Sequence, residues 1–344
     1  ASLHDKVMSA EQAATFIQDG MTVGMSGFTR AGEAKAVPLA LVKQAKENPL
    51  KITLITGASL GNDLDKQLTE AGVLARRLPF QVDNTLRKAI NNGEVMFIDQ
   101  HLSETVEQMR NLQLKKPDVA IIEAIAITED GGIIPTTSVG NSASFAIFAE
   151  KVIVEINTNL SPAFEGLHDI YIPSYRPTRQ AIPLTQVDER IGTHAINIDP
   201  SKIVGIVINN EYHDSPSTVT EPDDETQGIA NHLINFFEQE VAAGRLPKDL
   251  GPLQAGIGSI ANAVLTGLKD SNFEDLVMYS EVLQDCTFEL IDAGKMKFAS
   301  GSSITLSAKY GEKVFNNLDA YKDKLVLRPQ EISNHPELVR RLGI

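Results

Sequence analysis

The feature that most constrains this chain is a succession of short apolar runs, several of them apolar on both faces, that alternate with helical patterns. The runs are Met21–Ser26, Ile52–Thr56, Val95–Ile98, Val119–Ile122, Val152–Ile156 and Lys202–Ile208. A strand with one wet face alternates apolar and polar residues; a run without that alternation needs cover on both sides. Helices between the strands supply the cover. The pattern therefore predicts an α/β fold with mostly parallel or mixed sheets covered by helices. Ahead of the first run, Ser9-Ala10-Glu11-Gln12 reads as a capping box, because each side chain can satisfy the other's backbone donor. Ala13, Phe16 and Ile17 continue it as an apolar stripe, and Gly20 suits the stop.

A polar segment, Asn209 to Asp224, interrupts the alternation with Asp214-Ser215-Pro216-Ser217 and Glu221-Pro222-Asp223-Asp224. The boundary belongs there, dividing the chain into residues 1–218 and 219–344. Beyond it, Ile229, Leu233, Phe237 and Val241 mark one face of a helix ended near Gly244 and Pro247. The alternation then resumes: Leu253–Ala255, a glycine turn, a helix, Leu276–Glu281, a helix, and Lys297–Ala299. Two successive open α/β domains suit a length of 344 residues.

Several function classes drop out on charge and composition. A formal charge of -14 lacks the basic face that nucleic acid requires. No apolar run is long enough to span a bilayer, and Ala1 to Met8 lacks the basic and apolar regions of a signal peptide. A cytoplasmic protein with no membrane partner is expected. The single cysteine, Cys286, cannot form an internal disulfide, and a packed thiol is the reading. The histidines, His4, His101, His168, His194, His213, His232 and His335, are scattered, with no HExxH pair, so no metal site is expected. Gly61-Asn62-Asp63-Leu64-Asp65 reads as a turn with a helix cap rather than a calcium loop. Arg76 and Arg77 are adjacent, so at most one faces any site, and surface or interdomain ion pairing is the reading for them.

The chemistry concentrates between Gly251 and Asp285. Gly256-Ile257-Gly258-Ser259-Ile260-Ala261 follows a strand and opens a helix, where glycines admit close backbone approach and the helix start presents N–H groups to an anion. The same pattern fits a tight turn with no ligand, or the G-x-G-x-x-A of dinucleotide sites. Glu281 ends the apolar run Leu276-Val277-Met278-Tyr279, and a carboxylate at the end of a buried strand needs a partner or a function. It reads as a salt-bridged structural residue, as the acid that binds ribose hydroxyls about 20 positions after the glycines, or as a nucleophile facing oxyanion donors. Spacing leaves these open.

The surrounding residues carry a resemblance. Gly256-Ile257-Gly258-Ser259-Ile260-Ala261-Asn262-Ala263-Val264 followed by Tyr279-Ser280-Glu281-Val282-Leu283-Gln284-Asp285 resembles the acetyl-CoA hydrolase/transferase family of class I CoA transferases. Ser26-Gly27-Phe28-Thr29-Arg30-Ala31-Gly32, Ala75-Arg76-Arg77-Leu78-Pro79-Phe80-Gln81, Asp130-Gly131-Gly132 and Gly140-Asn141-Ser142 fit it as well. With Ala71-Gly72-Val73-Leu74 and Phe298-Ala299-Ser300-Gly301-Ser302-Ser303, the likeness is greatest to the succinate branch, and it runs over the whole chain.

The resemblance implies domains of the CoA-transferase type, with the site between them near strand ends. It implies transfer of coenzyme A between an acyl-CoA and a short carboxylate, succinate with acetate or propionate, through a glutamyl-CoA thioester on Glu281. Acetyl-CoA hydrolysis is the nearest rival, and an NAD(P)-dependent oxidoreductase a second from the glycine pattern. Ala255, Gly256, Ile257, Gly258 and Ser259 map onto the CoA-binding loop, and Ser59 and Asn334 onto positions near the reacting carboxylates. The partners implied are acyl-CoA and small carboxylates, with a homodimer and no permanently bound cofactor. Family members are longer, and their later part supplies a further oxyanion donor and CoA contacts. Pro336-Glu337-Leu338-Val339-Arg340-Arg341-Leu342 reads as a helix in progress, and these 344 residues alone are expected to be nearly inactive.

Overall fold

A computed structural model describes residues 3–344. Ala1 and Ser2, the start of the Ala1 to Met8 stretch read above, lie outside them. The strands in chain order are β1 (Thr22–Met25), β2 (Ile52–Ile55), β3 (Leu74–Leu78), β4 (Met96–Phe97), β5 (Val119–Ala124), β6 (Ala126–Ile127), β7 (Ile133–Ile134), β8 (Lys151–Asn157), β9 (Ile203–Asn209), β10 (Pro252–Leu253), β11 (Leu276–Tyr279), β12 (Val282–Leu283), β13 (Met296–Gly301), β14 (Ser303–Ile304) and β15 (Leu325–Leu327). A seven-stranded sheet has the order β4-β3-β2-β1-β5-β8-β9, and a four-stranded sheet the order β10-β11-β13-β15. Every pairing in both is parallel. β12 and β14 form a small parallel pair, and β6 and β7 an antiparallel one.

Among the apolar runs, all six residues of β5 are buried and so are the four of β1, whereas Met96 of β4 and Ile208 of β9, on the two edge strands, are exposed. Ser9 and Gln12 form the reciprocal capping box, at the head of helix Ala10–Ala14. In the two large sheets, two strands lacked a legible pattern. β3 carries Arg76 and Arg77 in its middle, and β15 is only three residues long.

Two expectations need correction. Arg77 is neither at the surface nor between domains: it is fully buried and donates to Asp65 (Nε to Oδ1, 2.8 Å) and to the carbonyl of Ala58 (3.2 Å). Its neighbour Arg76 faces solvent, as strand alternation requires. Helix Asp224–Ala242 also turns differently from the face Ile229, Leu233, Phe237, Val241. Ala230 is its buried residue, with Ile234, Phe237 and Val241 packed on the core, while Ile229 and Leu233 are exposed. The inward positions advance by 4, 3 and 4, a better fit to 3.6 residues per turn than steps of four alone. In the 61–65 turn, helix Leu64–Glu70 starts after Asp63, whose side chain makes no capping bond; Asp65 serves Arg77 instead.

Beneath the ends of β1, β5 and β8 lies a buried charge cluster. Lys35 Nζ meets Glu123 at 2.5 Å and Asp214 at 2.9 Å. Glu155 accepts the backbone N–H of Lys35 (2.7 Å) and Val37 (2.8 Å). Burial pushes the carboxyl of Glu33 up to about 7 and that of Glu123 up to about 8, with Lys35 opposing and Asp214 adding to the rise. A carboxyl raised above its ordinary 4.5 holds its proton more tightly in the folded state. Its stabilising contribution is full below that ordinary value and is lost as pH rises through the folded one. Chemical denaturation from about pH 5 to about pH 8 is therefore expected to show stability falling as pH rises. Glu33→Gln, which imitates the protonated acid, should flatten part of that fall; an unchanged slope in the variant would count against this account.

Candidate active site at the facing strand ends

Parallel strands place their following loops along one edge, and the two sheets present those edges to each other. Ser138 bridges to Ser303, and Gly140 to Pro329. Val139 N–H donates to the Ser302 carbonyl (2.9 Å), and Gln330 N–H to the Gly140 carbonyl (3.0 Å). Crevices of this kind, outside the carboxyl ends of parallel strands, are where such sheets bind ligands.

Glu281 stands in this crevice, in the break between β11 and β12. Its carbonyl accepts from the backbone N–H of Ser302 (2.7 Å) and Ser303 (3.1 Å), which fixes the turn. The side chain is half-buried. Burial raises its carboxyl pKa above the usual range, and the charge of His101 works in the opposite direction. Among the described residues Glu281 is in no ion pair, and a carboxylate that is partly desolvated without one is held at a cost, which suits a reacting group.

The glycine loop is fastened to the residues flanking Glu281. Ser280 Oγ donates to the carbonyl of Ala255 (3.0 Å), and Gln284 Nε2 to the carbonyl of Gly256 (3.1 Å). Gly258 has φ +137°, a conformation that favours glycine, and it precedes helix Ser259–Asp270 with no side-chain cap. A side chain at Gly256 would meet open space, so steric crowding is not what requires glycine there. Ile257 and Ile260 are exposed on the loop and the first helical turn. Ala255, Gly256, Ile257, Gly258 and Ser259 thus form an open strand-to-helix turn beside Glu281, with helix N–H groups available to an anion.

Loops of the first sheet close the other side. Val282, the residue after Glu281, packs with Phe28 and Ala58, and Leu102 covers them. Ser59, next to Ala58, is buried, and its carbonyl accepts Arg30 N–H (3.0 Å). Asn334 is half-buried at the end of helix Gln330–Ser333, and its Nδ2 donates to the Gln330 carbonyl (3.2 Å). Gln330 Nε2 in turn donates to the carbonyls of Gly57 (3.0 Å) and Leu102 (2.9 Å). Tyr279 Oη donates to the Ile332 carbonyl (2.7 Å), tying the end of β11 to the same helix. The structure therefore gathers the segments bearing Glu281, Ser59 and Asn334 at one crevice. Cys286 is a buried thiol pushed up to about 12 by burial, near Asn262.

Sequence reasoning passed over Ser280 and Gln284 as supports of the glycine loop, Gln330 as the pin between sheets, and His101. The first two were legible in part, as polar residues immediately around an acid in an apolar run. His101 carries the local signal His-x-Ser, in which Ser103 can bond the ring. Gln330 acts across 273 positions to Gly57, which no local pattern reports.

Among the described residues no group of three or more His, Cys, Asp and Glu side chains could hold a metal ion. No helix among them is long and apolar enough to cross a membrane.

Parallel sheets meeting in this way are a fold of the CoA-transferase type. The chain belongs to the acetyl-CoA hydrolase/transferase family: the family model described as the acetyl-CoA hydrolase/transferase N-terminal domain matches residues 1–208. The chain is 44% identical over 344 residues to a succinyl-CoA:acetate CoA-transferase of Clostridium kluyveri, covering 99% of this chain and 64% of that protein. It is 45% identical over 338 residues to an acetyl-CoA hydrolase of Schizosaccharomyces pombe, covering 95% of this chain and 64% of that one. The chain thus spans less than two thirds of the length of these relatives. In fold it is similar to RipA from Yersinia pestis (TM-score 0.72, 16% identity, 98% of this chain and 71% of that one). It is likewise similar to a 4-hydroxybutyrate CoA-transferase from Porphyromonas gingivalis (TM-score 0.63, 20% identity, 98% and 70%).

Proposed function

We propose that this chain carries the reacting carboxylate of an enzyme that moves coenzyme A between an acyl-CoA and a short carboxylate, succinate with acetate or propionate. The observation that carries the reading is Glu281: half-buried, its pKa raised by burial, and set beside an uncapped helix start. The ionised carboxylate attacks the thioester carbonyl; the C–S bond breaks, the thiolate leaves and a mixed anhydride forms. The thiolate then attacks the glutamyl carbonyl and expels the acyl group as its carboxylate, leaving a glutamyl-CoA thioester. The acceptor carboxylate runs the same steps in reverse. Each step exchanges one leaving group at one carbonyl, which is the advantage of a covalent intermediate. Residues Ala255 to Ser259 would hold the CoA, and Ser59 and Asn334 would lie near the reacting carboxylates.

The reading extends to a cytoplasmic homodimer with no permanently bound cofactor, built from domains 1–218 and 219–344, and to 344 residues that turn over slowly by themselves. Comparing this chain with a version extended to its relatives' length tests the last point; equal turnover would overturn it. For the covalent step, acyl-CoA is incubated with the extended protein and the peptide holding Glu281 is weighed. A CoA adduct on that peptide is the expected result, and its absence during turnover would defeat the mechanism. Hydrolysis is the second reading, favoured by the 45% identity to a protein named acetyl-CoA hydrolase. There water takes the place of the acceptor, and free CoA accumulates without an added carboxylate.

A further inference from the structure

Resting on the reading of Glu281 as the reacting carboxylate, we propose that Gln330 is a positioning residue for the transfer: its buried amide fixes the wall of the crevice that bears Ser59 relative to Glu281. The backbone of Gln330 is first located against Glu281 by a short path of hydrogen bonds. The Glu281 carbonyl accepts Ser302 N–H (2.7 Å), Ser302 Oγ accepts Gly140 N–H (3.2 Å), and the Gly140 carbonyl accepts Gln330 N–H (3.0 Å). Each step is a direct contact, and the path crosses from the second sheet to the first and back.

From that seat the side chain, fully buried, holds two separate loops of the first sheet. Nε2 donates to the carbonyl of Gly57 (3.0 Å), two residues before Ser59, and to that of Leu102 (2.9 Å). Leu102 packs with Val282, the residue after Glu281. On its other side the Gln330 carbonyl accepts both the backbone N–H (2.9 Å) and Nδ2 (3.2 Å) of Asn334. One residue thus touches the segments that bring Ser59 and Asn334 to the crevice, and the cover over the turn that bears Glu281.

The fit around the amide is close, and it is kept at a cost. A Cβ at Gly57 would lie 2.6 Å from Gln330 Oε1 and 2.5 Å from the Gly27 carbonyl, so only glycine lets this loop come down on the amide. Oε1 itself has no hydrogen-bond partner among the described residues. Turning the amide over would aim an acceptor at two carbonyls and lose both donated bonds, so Nε2 fixes the orientation. A buried acceptor left unpaired is unfavourable, and packing alone does not demand it; here it follows from keeping both donors on Gly57 and Leu102. The glycine loop, by contrast, is fastened by Ser280 and Gln284 and not by Gln330. A shift of the Ser59 wall by about 1 Å therefore slows the meeting of reacting atoms while leaving the hold on CoA intact.

The test is single-turnover formation of the CoA adduct by the extended protein, followed over a range of acyl-CoA concentrations. Gln330→Met keeps the length of the side chain and removes both donors. It is expected to lower the limiting rate constant about tenfold or more, with the half-saturating acyl-CoA concentration and the final amount of adduct unchanged. A role in folding alone predicts the opposite pattern, less adduct formed at the normal rate constant. Ser302→Ala removes only the hydroxyl that accepts Gly140 N–H, and should lower the rate constant in the same way; it decides the matter if Gln330→Met does not fold. A normal rate constant in Gln330→Met, or in Ser302→Ala where that variant must stand in, would overturn the proposal. Absence of adduct in the unaltered extended protein is a separate result, which removes the reading of Glu281 itself.

Discussion

Glu281→Asp is expected to lower CoA transfer by about a hundredfold or more, and Glu281→Gln to abolish the CoA adduct. The two variants separate the reasons. Glutamine leaves the volume unchanged and removes the attacking anion. Aspartate keeps the anion and withdraws it by one methylene, and a misplacement of about 1 Å is enough to cost about a hundredfold when the reacting atoms must meet at van der Waals distance. Stability should move the other way. The carboxylate is held against burial, with its pKa raised, so removing its charge relieves a desolvation cost. Glu281→Gln is thus expected to unfold at the same or a higher denaturant concentration than the unaltered protein. Loss of activity without loss of stability is the signature of a residue kept for chemistry. A near-normal rate in Glu281→Asp would exclude Glu281 as the nucleophile, and a large drop in stability would return it to a structural role.

Strand existence was legible where burial on both faces left only apolar residues, as in β5, whose six residues are all buried. β3 was not, because Arg77 occupies a core position. Its charge is matched by Asp65 and the Ala58 carbonyl, both from other segments, and by the carbonyl of its neighbour Leu78, and a local pattern cannot report partners supplied by tertiary structure. The same limit misplaced the inner face of helix Asp224–Ala242: period alone allows neighbouring stripes, and the helix packed beside it, Ser259–Asp270, selects one. At the site, the glycine turn and Glu281 were visible because both are local. A site between the domains near strand ends was expected, but the residues that build the crevice were not legible, since Ser138, Gly140 and Gln330 join loops of one sheet to loops of the other.

That join makes a second large effect predictable at Arg328. The residue follows β15 and is completely buried, with all three guanidinium nitrogens bonded, Nε within its own sheet and Nη1 and Nη2 to segments of residues 1–218. Nε donates to Ser300 Oγ (2.9 Å), Nη2 to the carbonyls of Val187 (2.8 Å) and Glu189 (2.6 Å), and Nη1 to Asp169. Asp169 also accepts the N–H of Ile191 (3.1 Å) and Gly192 (2.6 Å), so it remains charged and buried if the guanidinium is removed. Arg328→Met is therefore expected to cost about 3–5 kcal/mol in chemical denaturation, the range for leaving one member of a buried pair unmatched. Arg328→Lys should not rescue it, because a compact ammonium cannot reach acceptors spread around a planar fork. Adding Asp169→Asn to Arg328→Met should recover part of the loss by removing the stranded charge, so the double variant costs less than the two single effects added together. Ser300 pairs with Tyr279 across the sheet, one residue before the turn that bears Glu281. The same substitution should therefore loosen the seat of the reacting carboxylate and reduce adduct formation even below the denaturation midpoint. Full stability in Arg328→Met would show that this buried pair contributes little to holding the sheets together.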